Sequence, residues 1–147
     1  MHNWFECKIK YEKTAEEGKI VKVTETYLVD ALSFTEAEAR ITEEMKPFIS
    51  GEFIVSAIRR VKINELFPNE NGDKWYRAKV NFIALDEEKG IERKTPCMML
   101  VQANDTNDAN SGIIEGMKET MADYEIASIT ETLIMDVYPF VVPEKTK

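Results

Sequence analysis

One histidine and two cysteines in 147 residues leave little of the equipment that most enzymes and metalloproteins use. His2, the single histidine, lies at the start of the sequence without a positioned partner, so a histidine-dependent nucleophilic triad has no base. Cys7 and Cys97 stand far apart and in no CxxC pattern, which removes paired metal-ligand spacing and a disulfide framework. Both are expected to be reduced and structural, with Cys7 on the buried side of a strand as a small hydrophobe. GxSxG, the P-loop, the dinucleotide GxGxxG and HExxH are all missing. No apolar run approaches the roughly 18 residues of a membrane helix. The opening Met1-His2-Asn3-Trp4-Phe5-Glu6 reaches an acid at once and lacks a basic-then-apolar signal peptide, so the expected location is cytoplasmic and no membrane partner is expected.

Positive charge is also in deficit. The formal net charge is −8 and the pI about 4.8, which opposes non-specific binding to nucleic acid or anionic membrane. A local basic strip overrides this only at short range, within a Debye length of about 8 Å. Asp and Glu are abundant, but no spacing selects one pair for acid–base or Mg²⁺ chemistry. The expectation is therefore no catalytic residue, no cofactor and no metal. A hydrophobic fraction of 44% and a mean hydropathy of −0.35 belong to a soluble globular protein.

What the chain does contain is a strand written twice. Trp4-Phe5-Glu6-Cys7-Lys8-Ile9-Lys10-Tyr11 returns as Trp75-Tyr76-Arg77-Ala78-Lys79-Val80-Asn81-Phe82. In the first copy Phe5, Cys7, Ile9 and Tyr11 alternate with Trp4, Glu6, Lys8 and Lys10, the period-2 pattern of a half-buried strand. A polar loop with Gly18 leads to a second strand over 20–31, making a hairpin. Ser33 and Glu36 then form a capping box, and Phe34, Ala37, Ile41, Met45 and Phe48 form the apolar stripe of a helix that Pro47 and Gly51 end. From Glu52 to Phe67 the chain is extended again. A straight strand of that length spans roughly 50 Å at 3.3 Å per residue, too long for one strand. A bend near Arg59-Arg60 is expected, with one half serving its own unit and the other half the neighbouring copy. Asn71-Gly72 then signals a hairpin turn into the second copy.

The second copy has the same parts. Strands over 75–85 and 94–103 flank a loop with Gly90, and Asp105 to Asp108 replace the capping box with Asx chemistry. Ala109, Ile113, Met117 and Met121 form the next helical stripe, interrupted by Gly112 and Gly116, each costing up to about 1 kcal/mol relative to Ala unless it permits close packing. Tyr124 to Ile129 matches Phe53 to Ile58, and Asp136-Val137-Tyr138-Pro139 matches Glu65-Leu66-Phe67-Pro68. The expected architecture is α+β: a tandem ββαβ repeat, two pseudo-twofold-related units with mainly antiparallel sheet and one helix each. One domain would span 1–147, with repeat one over 3–68, a turn over 69–73, repeat two over 74–140 and a flexible tail over 141–147. A unit of some seventy residues has a marginal core alone.

The runs WFECKIKYEK, TETYLVDALSFTEAEARITEEMKPFISGEF and GMKETMADYEIASITETLIMDVYPF resemble an uncharacterised domain-of-unknown-function family of Bacteroides-like bacteria and their phages or mobile elements. The resemblance covers nearly the whole chain. It implies a bacterial protein of phage or mobile-element context and brings no activity, cofactor or catalytic residue.

One constellation exceeds background. The polar face of the duplicated strand puts Trp4 with Lys8 and Lys10, and Trp75 with Arg77 and Lys79; Arg59, Arg60 and Lys62 extend the positive strip. An exposed Trp beside long cations stacks on bases at about 1–3 kcal/mol each while the cations meet phosphate. This makes single-stranded nucleic-acid binding the alternative function, disfavoured by net charge. The counterpart of Arg59 to Lys62 is Thr130-Glu131-Thr132-Leu133, so the strip is not duplicated. Two Trp residues at equivalent positions are more simply structural. The leading expectation is a non-catalytic soluble interaction module that binds a protein partner or itself through exposed sheet edges.

Overall fold

The structure, a computed structural model, describes residues 3–139. His2, the end of the second repeat at 140 and the expected tail at 141–147 lie outside the described residues. Among the described residues the chain is mixed α and β, with two α-helices, one 3-10 turn at Glu16–Gly18 and two four-stranded sheets.

In the first sheet, β1 (Trp4–Thr14) and β2 (Ile20–Asp30) are antiparallel from Trp4↔Asp30 to Thr14↔Ile20. The reversal between them puts Glu17 at φ 71° and Gly18 at φ 77°, a left-handed pair that Gly18 adopts freely. α1 (Phe34–Met45) starts at Ser33, whose hydroxyl accepts from the Glu36 N–H at 3.1 Å. The Glu36 carboxylate reaches back to the Leu32 N–H at 3.4 Å, one residue earlier than a capping box requires. β3 (Phe53–Val61) is antiparallel to β1 on its outer side. β8 (Ile134–Tyr138) lies parallel on β2, completing the order β3-β1-β2-β8.

In the second sheet, β5 (Lys74–Asp86) and β6 (Ile91–Ala103) form the hairpin, and β7 (Asp123–Glu131) flanks β5. β4 (Glu65–Phe67) lies parallel on β6, so the order is β4-β6-β5-β7. α2 (Thr106–Gly116) begins at Asp105, whose carboxylate accepts from the Asp108 N–H at 2.7 Å.

The chain thus divides into two compact units. The first takes the described residues up to Lys62 and those from Ile134 onward; the second takes Ile63–Leu133. β4 follows β3 in sequence but belongs to the other sheet, and β8 follows β7 but joins the first sheet. The expected division of the long extended segment between neighbours is therefore present. Its break falls at Lys62–Asn64 rather than Arg59-Arg60, because Asn64 is bonded to β6: its N–H donates to the Met98 carbonyl (2.7 Å) and its side-chain oxygen accepts from the Met98 N–H (2.9 Å). The irregularity inside β3 is instead a bulge at Ser56, which the β1–β3 register skips.

Each sheet carries its helix on one face. In the first unit Phe5, Cys7, Ile9, Tyr27 and Val29 meet Ala37, Ile41 and Met45. In the second, Tyr76, Ala78, Val80, Met99 and Val101 meet Ala109, Ile113 and Met117. The outer ends of both helical stripes differ from expectation. Phe48 lies beyond the end of α1 and is 74% exposed, and Met121 lies beyond α2 and is 98% exposed. Phe34 is exposed too, its ring meeting Phe5 edge-on at 5.0 Å.

The turn at 69–73 does not make a hairpin, since β6 stands between β4 and β5. Gly72 is needed for space: a Cβ there would lie 2.6 Å from the Ala103 nitrogen. Gln102 and Asn104 hold this turn. Gln102 accepts from the Asn69 N–H (2.9 Å) and donates to the Gly72 carbonyl (3.1 Å); Asn104 accepts from the Asp73 N–H (3.0 Å) and donates to the Asn71 carbonyl (3.0 Å).

Candidate functional site

Alternation places Trp4, Lys8, Lys10 and Arg59 on the face of the first sheet away from α1. Lys8 and Lys10 are exposed, but Trp4 is only 4% exposed, as is Trp75 in the second sheet. A ring so covered has no open face for a base, so the two indoles act as buried apolar side chains. Residues on the same side of the first sheet, Leu28, Ile134 and Val137, are buried with Trp4. Arg59 is committed across the strands, with its guanidinium 3.2 Å from the Glu6 carboxylate.

Arg60 points the other way. It donates to Asn3 Oδ1 at 2.6 Å and its guanidinium carbon stands 6.0 Å from the Phe5 ring centroid, a cation–π approach on the helix side. Lys62 is exposed past the end of β3. Arg77 and Lys79 are exposed on β5 beside the buried Trp75. The structure therefore gathers Lys8, Lys10 and Arg59 on one face, turns Arg60 to the opposite face and sets Trp75, Arg77 and Lys79 in a separate sheet.

A different cluster emerges in the first unit. The Tyr27 hydroxyl donates to Glu25 at 3.2 Å, and burial, then the neighbouring Glu25 carboxylate, push the Tyr11 hydroxyl upward. The Tyr27 and Tyr138 rings stack with centroids 6.1 Å apart and planes 26° from parallel. Burial, then the charges of Asp136 and Glu44, push the Tyr138 hydroxyl up to about 12; burial and Glu25 push Tyr27 upward too. At neutral pH these phenols are hydrogen-bond donors, not acids or nucleophiles. The same register positions of the second sheet hold Phe82, Cys97, Met99 and Phe67 in place of Tyr11, Glu25, Tyr27 and Tyr138. That contrast is visible in the sequence once the two copies are compared position by position.

The third feature is the outer edge of each sheet. β3 and β7 each have a strand neighbour on one side only. Both are nine residues long, and both contain a bulge, at Ser56 and at Ala127. Neither strand is fully buried at any residue, and Ile54 on β3 is 61% exposed. A row of edge N–H and C=O groups is a template for a further strand.

Among the described residues no group of three or more His, Cys, Asp or Glu side chains is arranged to hold a metal ion. No helix there is long and apolar enough to cross a membrane. The chain belongs to a family described as a domain of unknown function (DUF4494), matched over residues 3–140. No curated protein and no solved structure matches it.

Proposed function

We propose that this domain is a non-catalytic protein-interaction module built on a duplicated ββαβ unit, and that it binds by adding an extended segment to an edge strand. The observation that carries the reading is the pair of accessible nine-residue edges, β3 and β7, one on each sheet. Strand addition draws affinity from main-chain hydrogen bonds and selectivity from alternate side chains. The duplication is supported by the matched sequence runs and by the equal strand orders of the two units, in which β3, β1, β2 and β8 correspond to β7, β5, β6 and β4. A cytoplasmic bacterial setting, with a phage or mobile-element context, is part of the same reading and rests on the sequence resemblance and the acidic composition.

The test uses proline at the bulges. Ser56 and Ala127 have no Cα partner in the neighbouring strand's register, so Ser56→Pro and Ala127→Pro alter each edge at its bulge, where proline is tolerated in a sheet. Ser56→Pro also gives up the hydroxyl's hydrogen bond to the Lys8 carbonyl at 3.3 Å. Cross-linked capture with the whole protein as bait is expected to recover partners that one of these variants loses, with the circular dichroism spectrum unchanged. Capture of the same partners at the same yield by wild type and by the double variant would overturn strand addition as the binding mode.

A further inference from the structure

The two edges differ in charge. β3 carries Arg59 and Arg60, whereas β7 carries Asp123, Glu125 and Glu131. Pairing β3 with β3, or β7 with β7, would concentrate one sign in a single ladder, while pairing β3 with β7 brings opposite signs together. Opposite charges on facing strands are favourable and like charges are not.

The bulges add a geometric match. Along β3 the side chains of Phe53, Val55, Ile58 and Arg60 share the helix-facing side, and Ile54, Ala57, Arg59 and Val61 share the other. Along β7 the corresponding sets are Tyr124, Ile126, Ile129 and Glu131, then Glu125, Ser128 and Thr130. Lay the two strands antiparallel with Phe53 opposite Glu131 and Val61 opposite Asp123. All nine residues of each then overlap. Val55 faces Ile129, Ile58 faces Ile126, Arg60 faces Tyr124 and Arg59 faces Glu125, each on matching sides. The bulged Ser56 and Ala127 fall opposite Ser128 and Ala57, so the two irregularities meet in the middle and neither displaces a side chain to the wrong face.

We propose that the occupant of the β3 edge is the β7 edge of a second copy of this chain, so that copies associate head to tail. This rests on the edge-binding reading above and commits it to self-association. The contact uses different surfaces on the two partners, so it generates closed rings or open chains of copies. Arg59 and Glu125 already have partners of their own, the half-buried Glu6 at 3.2 Å and the exposed Lys94 at 2.8 Å, and the new pair would extend these bridges across the junction.

Light scattering on the full chain over a concentration series tests this. The wild type is expected to rise above the 16.9 kDa chain mass as concentration increases. Ser56→Pro alone and Ala127→Pro alone should each stay at that mass, while an equimolar mixture forms a one-to-one pair and stops there, because one intact β3 edge meets one intact β7 edge. Should either proline variant unfold, Arg59→Glu and Glu125→Arg serve instead. Each alone should raise the concentration needed for association by about threefold to tenfold, and mixing them should restore it. Loss of the Arg59–Glu6 bridge acts within one chain, so it cannot produce the recovery on mixing with Glu125→Arg that a contact between copies requires. Three results would overturn the proposal: a wild type monomeric at every concentration, a proline-variant mixture that stays monomeric, or a single edge variant that abolishes association while the other has no effect. A monomeric wild type that still captures a partner through its edges would leave the strand-addition reading standing.

Discussion

Gly116, the last residue of α2, lies directly against the ring of Phe67 on β4: a Cβ on Gly116 would sit 2.6 Å from the ring's Cε1 atom. The glycine that weakens the helix end is the opening into which β4 inserts its aromatic side chain. Helix propensity alone favours Gly116→Ala by up to about 1 kcal/mol. Overpacking costs about 1–3 kcal/mol, so the substitution is expected to lower stability on balance. Urea denaturation should show the sign reverse in a Phe67→Ala background, where the methyl group has room. An alanine that stabilises the otherwise wild-type chain would refute the close packing.

The buried groups that set an alkaline limb of stability lie in the first unit. Burial, with Glu6 adding to it, pushes the Cys7 thiol from 9.0 to about 12, and burial with nearby carboxylates pushes Tyr138 up to about 12. Groups raised in the folded state contribute fully below their unfolded values. Their contribution disappears as pH climbs, since the unfolded chain then releases protons that the folded chain retains. Stability should therefore be flat near neutrality and fall between about pH 9 and about pH 12. Tyr138→Phe should make that fall shallower, read from urea midpoints at matched pH values. A slope identical to wild type would remove Tyr138 from the account.

Alternation along Trp4–Tyr11 is enough to place Phe5, Cys7 and Ile9 under α1, because period two offers one solution once a helix covers one face. It says nothing about cover on the opposite face, which is why the Trp4 ring reads equally well as platform or filler until its exposure is known. The division of the extended segment between neighbours is legible from its length. The position of the break is not, because it depends on Asn64 finding the Met98 backbone across the sheet. The Asn71-Gly72 pair misleads for a related reason: the glycine answers to the Ala103 backbone, a distant neighbour, and not to a hairpin. The tyrosine cluster is the reverse case. Every member is in plain view, yet only the contrast with Phe82, Cys97, Met99 and Phe67 separates it from ordinary core.

The two thiols should separate cleanly by reagent. Cys7 is buried and Cys97 half-buried, and the thiolate is the reactive form. A thiol-reactive chromophore at mildly alkaline pH is expected to label Cys97 in the folded chain and Cys7 only after denaturant is added. Mass spectrometry of the labelled peptides assigns the sites. Equal labelling rates in the folded protein would contradict the burial of Cys7.

The placement of β8 makes a prediction that runs against sequence position. Val137 follows the whole second sheet in the chain, but it pairs with Leu28 in the first sheet and is 8% exposed there. Val137→Asp would bury a carboxylate without a designed partner, at a cost of about 3 kcal/mol. The damage is expected in the unit that contains β1, β2 and β3. Hydrogen exchange followed by mass spectrometry should show faster exchange along Ile20–Asp30, while peptides from Lys74–Asp86 and Ile91–Ala103 keep their protection. Leu66→Asp supplies the mirror test, since Leu66 lies early in sequence but pairs with Leu100, and its damage should appear along β6. If Val137→Asp instead loosened β6 and Leu66→Asp loosened β2, the pairing of β8 with β2 and of β4 with β6 would be refuted.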